Sequence, residues 1–145
     1  MIREINILDA KDIQEICKDE LGYNVDIKTV KMQIEKLSID YEHHIIAVYE
    51  DKKTSKVVGF VHAEIYESLY SDIGLNILGL AVNSNFQGKG IGKKLMVFVE
   101  EYALNNNINF IRLNSASHRS EAHKFYENIG YTCNKIQKRF IKIFR

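Results

Sequence analysis

The chain has 145 residues, 46% of them hydrophobic and 27% charged, the make-up of a globular domain rather than a disordered segment. Twenty basic residues against nineteen acidic ones leave a net charge of +1, so overall charge draws the chain neither to nucleic acid nor to an anionic membrane. Cys17 and Cys133 form no CxxC pair, and His43, His44, His62, His118 and His123 are not at ligand spacing, so neither a disulfide framework nor a metal site is expected. No apolar run approaches the roughly 20 residues a membrane helix needs, and Met1–Asn6 is too charged for a secretory leader. A cytoplasmic location with reduced thiols is the expectation.

In chain order, Ile2, Ile5 and Ile7 read as a short opening strand. Asp9 reads as the N-cap of a helix carrying Ile13, Ile16 and Cys17 and ending before Gly22. Asp26 caps a second helix with Ile27, Val30, Ile34 and Leu37 on one face. His44–Glu50 and Val57–Tyr66 read as a hairpin around the polar turn 51–55. Ile73–Val82 is nearly all apolar, the pattern of a strand in the middle of a sheet with both faces covered. From Ile91 the apolar positions Ile91, Leu95, Phe98, Val99, Tyr102 and Ala103 recur at helical spacing, and Asn105–Asn107 ends the run. Phe110, Ile111 and Leu113 begin another strand; Glu121–Ile129 is a short helix stopped by Gly130. Tyr131–Ile143 reads as one or two closing strands. The chain contains no proline, so Gly, Asn, Asp and Ser must set its turns. With no repeat or linker, residues 1–145 read as a single domain.

The most informative stretch is Gln87-Gly88-Lys89-Gly90-Ile91-Gly92-Lys93-Lys94, between a buried strand and a helix start. Alternate glycines let the backbone approach a ligand without an intervening Cβ. The first N–H groups of the following helix and its dipole form an anion site, and three lysines add charge, so a phosphate is the natural guest. A nucleotide P-loop does not fit: Gln87 stands where its first glycine belongs and Lys94 where its Ser or Thr belongs. Gly88, Gly90 and Gly92 give G-x-G-x-G, which misses the dinucleotide pattern as well.

Downstream, Ala122, Phe125, Tyr126 and Ile129 share one helical face before Gly130 and Tyr131. Together the two segments resemble the GNAT acetyltransferase superfamily: Gln87, Gly90 and Gly92 match its Q/R-x-x-G-x-G/A signature, and Ala122, Phe125, Tyr126, Gly130 and Tyr131 match its A-x-x-F/L-Y-x-x-x-G-F/Y helix. The motif-bearing part runs from roughly Ile73 to Tyr131.

The resemblance implies an α/β fold with a mixed, mostly antiparallel sheet of six or seven strands and about four helices. It implies acetyl-CoA as co-substrate, with no metal, and an amine acceptor that attacks the thioester directly. The coenzyme A pyrophosphate would sit on Gln87, Gly88, Lys89, Gly90, Ile91, Gly92 and Lys93. The pantetheine arm would pair with the backbone of Leu80, Ala81 and Val82, where Gly79 marks a bulge that splays the strand. An N–H of Leu80 or Ala81 would bind the acetyl oxygen, a contact worth ~10²–10³ in rate. Tyr126 would protonate the leaving thiolate, worth ~10²–10⁴.

The chain departs from the commonest family pattern at two places. Arg119 stands where many members have Asn, and it either contacts a coenzyme A phosphate or is a solvated surface charge. Leu78 and Gly79 stand where many members have a carboxylate that helps deprotonate the amine. Glu64 on the preceding strand is the candidate base instead, with His62 on the same strand and a water chain as alternatives. That missing carboxylate also leaves a second reading, a non-catalytic acyl-CoA sensor of the same fold. Dimers are common in the family, so a homodimer is an assembly the resemblance allows.

Overall fold

The chain opens with a strand shorter than its isoleucines suggest, Ile2–Glu4 (β1), because a turn capped by Asn6 takes up Ile7; Arg3 of β1 spans this turn. Its guanidinium grips Asp9 through two bonds of 2.8 and 2.9 Å and Glu50 through a third of 3.0 Å. Asp9 stands at the N-cap of the first helix as its position predicts, but its side chain makes no cap bond there; its carboxylate also accepts from the Asn6 N–H at 2.9 Å. Asn6 instead caps a 3-10 turn, Ile7–Asp9, which leads into the helix Ala10–Leu21 (α1). Gly22 ends α1 at φ +77°, the left-handed conformation a β-carbon disfavours. Asp26 caps the second helix, Ile27–Ile39 (α2), as expected, accepting from the Lys28 N–H at 3.0 Å.

The hairpin follows as read. His44–Glu50 (β2) and Val57–Tyr66 (β3) pair antiparallel around a turn held by Asp51, which accepts from both the N–H and the hydroxyl of Thr54. Gly74–Val82 (β4) adds to β3 antiparallel. A 15-residue helix, Ile91–Asn105 (α3), then returns the chain so that Phe110–Leu113 (β5) lies parallel to β4. The sheet order is β1-β2-β3-β4-β5, five strands in an α/β fold.

Side chains alternate between two faces. One packs on α3: a β-carbon at Gly59 would touch Ile91 and Leu95 at 3.3 Å. The other packs on α1 and α2, where Ala10, Ile13, Ile16, Val30 and Ile34 meet Val48, Phe60 and Ala81. Leu75, Leu95, Met96, Val48, Val61 and Val99 are the largest wholly buried side chains, each worth about 1.5–3 kcal/mol of burial.

All 145 residues are described, in two compact units, Met1–Leu113 and Asn114–Arg145. The second unit holds the helix Ser120–Asn128 (α4), closed by Gly130 at φ +99°. Its tail corrects the strand count. Residues 131–145 form no strand, so the sheet has five strands and not six or seven. Ile136, Phe140, Ile141, Ile143 and Phe144 are residue types that strands favour, but all five are exposed and no backbone ladder forms among them. Strand propensity alone supplies no partner edge. No helix is long and apolar enough to cross a membrane.

Candidate functional site

The glycine turn leads directly into α3. Gly88 and Gly90 both take left-handed φ, +77° and +81°, and a β-carbon on either would meet no atom within 4 Å. The turn is thus open on its outer side. Gly90 is the N-cap of α3 and offers no side chain to cap it, and the first helical bond runs from the Lys94 N–H to the Gly90 carbonyl at 3.0 Å. The N–H groups of Ile91, Gly92 and Lys93 precede that bond and need a partner from outside the helix. An anion satisfies them, and the helix dipole favours it.

The side chains around the turn hold its shape. Gln87 donates to the Val82 carbonyl at 2.9 Å and to Glu20 at 3.4 Å, and Glu20 accepts from the Ser84 N–H at 3.0 Å. The signature glutamine therefore ties the turn to the end of β4 and to α1. Lys89 lies over the Phe86 ring, and Lys94 over the Tyr49 ring.

β4 has two unlike halves. Gly74–Ile77 pairs with both β3 and β5, and a β-carbon on Gly74 would run into the Phe110 ring. The β5 ladder stops at Ile77–Leu113, so Leu78–Val82 is paired with β3 alone. Leu78 is the extra residue of a bulge, since His62 faces Gly79 and Ala63 faces Ile77. This corrects the expectation of a strand covered throughout: Leu75 is 0% exposed and Leu78 is 51%. The backbone edge of Leu80, Ala81 and Val82 lies beyond the bulge, where no β5 residue pairs with it.

On the α1/α2 side of the sheet the residues turn polar away from Phe60 and Ala81. Glu64 accepts from the Asn76 amide at 2.8 Å, and the Asn76 carbonyl accepts from Arg112 at 2.6 Å, a chain across three strands. Arg112 also lies 4.8 Å over the Tyr66 ring. Next to Glu64 on this face, His62 Nε2 and His44 Nδ1 share a hydrogen bond of 2.9 Å. Burial, and then the neighbouring His44, push His62 down to about 4 against the pull of Glu64, so its ring is neutral at physiological pH.

In the second unit, Tyr126 lies partly buried on α4 with its ring 5.2 Å from Phe125 and 6.1 Å from Tyr131. Burial raises its phenol above the ordinary range, and the Arg119 charge opposes this. Arg119 is exposed at the N-cap of α4 and makes no side-chain cap bond there.

The structure thus joins Leu80–Val82 to the glycine turn through Gln87, and sets Glu64 among polar residues on the other side of the bulge. Asn76, Arg112 and the His44–His62 contact are the residues sequence reading missed. One signal was present: Asn76 is the lone polar residue in the run Ile73–Val82, and a polar group in a central strand needs a partner.

The profile of the Acetyltransferase (GNAT) family matches residues 10–131. N-acetylaspartate synthetase of Rattus norvegicus is 37% identical over 75 residues, which are 52% of this chain and 24% of that protein. The match thus spans about a quarter of that relative's length. The protein named uncharacterized N-acetyltransferase YhdJ of Bacillus subtilis (strain 168) is 26% identical over 114 residues, 78% of each chain. Among solved structures, glucosamine-6-phosphate N-acetyltransferase from Arabidopsis thaliana superposes with a TM-score of 0.83 at 22% identity, covering 97% of both chains.

Proposed function

The chain belongs to the Acetyltransferase (GNAT) family, and on that premise we propose that residues 1–145 act as one N-acetyltransferase domain passing the acetyl group of acetyl-CoA to a primary amine. The observation that carries this reading is the uncapped N-terminus of α3 beside the half of β4 that β5 leaves unpaired. The amides from Gly88 to Lys93 take the pyrophosphate, with Gln87 bracing the turn and Lys89 and Lys93 adding charge. Leu80, Ala81 and Val82 offer backbone groups to the pantetheine arm, and an N–H of Leu80 or Ala81 binds the acetyl oxygen. Arg119 is proposed as a further phosphate contact.

Free amines of this kind are protonated near neutral pH, with pKa about 10, so one proton must leave before the nitrogen attacks. Glu64 is the acceptor-side base. Tyr126 protonates the departing thiolate, and its raised pKa keeps the phenol proton in place until then. The acceptor is a small molecule or peptide amine. Amino acids belong in any screen, because the rat relative's name specifies an amino-acid product and Arg112 offers a cation near Glu64. A cytoplasmic location, the absence of a nucleic-acid or membrane partner, and a homodimer as the possible assembly are part of this proposal.

The test is thiol release from acetyl-CoA over a panel of amines, with calorimetric binding of acetyl-CoA and ATP alongside. Acetyl-CoA should bind and ATP bind far less well; equal or tighter ATP binding overturns the reading. Tyr126→Phe should lower kcat ~10-fold or more with acetyl-CoA affinity little changed. Tight binding without turnover on any amine would instead favour a sensor of the same fold.

A further inference from the structure

The reading above leaves the acceptor's proton on Glu64, a half-buried carboxylate already bonded to Asn76. For a second turnover that proton must reach water. We propose that His62 and His44 form the exit relay, taking the proton from Glu64 across the sheet to its margin. This deepens the proposed function and rests on it.

Three observations support the relay. His62 is two residues from Glu64 on the same face of β3, opposite Gly79 at the bulge, so no side chain of β4 stands between it and the splayed part of the sheet. Its Nε2 is 2.9 Å from His44 Nδ1, the rings being 5.1 Å apart and tilted by 45°. His44, the first residue of β2 and the cross-strand neighbour of Glu64, follows the exposed residues Tyr41, Glu42 and His43, so the pair ends at the margin of the sheet. The charged and titratable groups facing His62 are His44 on β2 and Glu64 on β3, with Arg112 of β5 reaching in as far as Asn76. Burial and His44 disfavour the charged ring, so His62 holds a second proton only in passing it on to His44.

The bookkeeping of protons closes. In the resting pair His62 carries its proton on Nε2 and donates it to His44 Nδ1. The O–H bond of protonated Glu64 breaks, its electron pair returning to the carboxylate, and His62 Nδ1 gains the proton. His62 Nε2 then gives its proton to His44 Nδ1, and His44 releases one from Nε2 to water. Tautomeric exchange restores the pair, and Glu64 is again ionised.

The experiment is kcat and kcat/KM against pH from 6 to 9 for the full chain and for His62→Gln, His62→Ala and His44→Gln, with and without added imidazole. The relay predicts that His62→Gln lowers kcat ~10-fold or more while the KM for acetyl-CoA stays within about 2-fold. Imidazole should restore part of the lost rate to His62→Ala, which a purely structural role would not allow. His44→Gln should lose less, and its rate should rise with buffer concentration. Should the His62 variants fail to fold, His44→Gln decides by that buffer response. Activity of the His62 variants within 2-fold of the parent across this range, or the absence of both imidazole rescue and buffer response, overturns the relay and leaves the acetyltransferase reading standing. A parent chain that releases no thiol with any amine overturns both.

Discussion

The two faces of the sheet are built to different ends. On the α3 side, Gly59, Val61, Ala63, Leu75 and Ile77 are buried without a break, and Gly59 is small enough for Ile91 and Leu95 to close on the backbone. On the α1/α2 side the same strands begin just as apolar, at Val48, Phe60 and Ala81, and then give way to His62, Glu64, Asn76 and Arg112. Every polar group named there has a partner on a neighbouring strand. Such a network in a sheet is worth little as packing, because desolvation offsets most of its hydrogen bonding. Its worth is position: it sets titratable groups beside the one place where the sheet opens.

Substitutions can sharpen or break this contrast. The largest effect is expected on the α3 face. Leu75→Ala should cost about 2–5 kcal/mol, since Leu75 is wholly buried, and denaturant unfolding will show it. A loss below about 1 kcal/mol would mean that this face is not the structural one.

The next effect belongs to pH. The folded chain holds His62 at about 4 against an ordinary 6.5, so the unfolded chain takes up a proton first as pH falls. Above pH 6.5 the group contributes nothing to the pH dependence. Between about 6.5 and 4 the folded state loses stability, by roughly 2 kcal/mol once water at the partly buried ring is allowed for. Melting temperatures across that window should decline in the parent, and His62→Gln should flatten its share of the decline.

The smallest stability effect is expected from Glu64→Gln, under about 1 kcal/mol, because the amide oxygen still accepts from Asn76. Its kcat should nevertheless fall ~10²-fold or more. A stability loss equal to that of Leu75→Ala, with kcat unchanged, would merge the two faces into one structural core.

Much of the fold was legible because its signals are local. Asp26 caps α2, Gly22 and Gly130 take the left-handed turns that end α1 and α4, and two apolar runs around a polar turn form the β2–β3 hairpin. Asp9 marked the helix start correctly, but its side chain makes no cap bond because a cap competes with any stronger partner, and Arg3 is six residues away. The tail misled in the opposite sense: it is rich in the isoleucine and phenylalanine that strands favour, yet residues 131–145 pair with nothing as a strand. The glycine turn at the start of α3 could be read from spacing alone, since helix starts and positive φ are properties of a few consecutive residues.

By itself the sequence determined the element order, the glycine turn at the start of α3 and the family to which the chain belongs, because each rests on residues close together or on a motif kept in one order. Only the tertiary structure decided where β5 stops pairing with β4, which residue is the extra one at the bulge, and that His44 meets His62 while Glu64 reaches Arg112 through Asn76. The physical reason is register. A shift of one residue in a strand sends every side chain to the opposite face, and no local pattern fixes the register across strands that are 12 to 36 residues apart at these contacts.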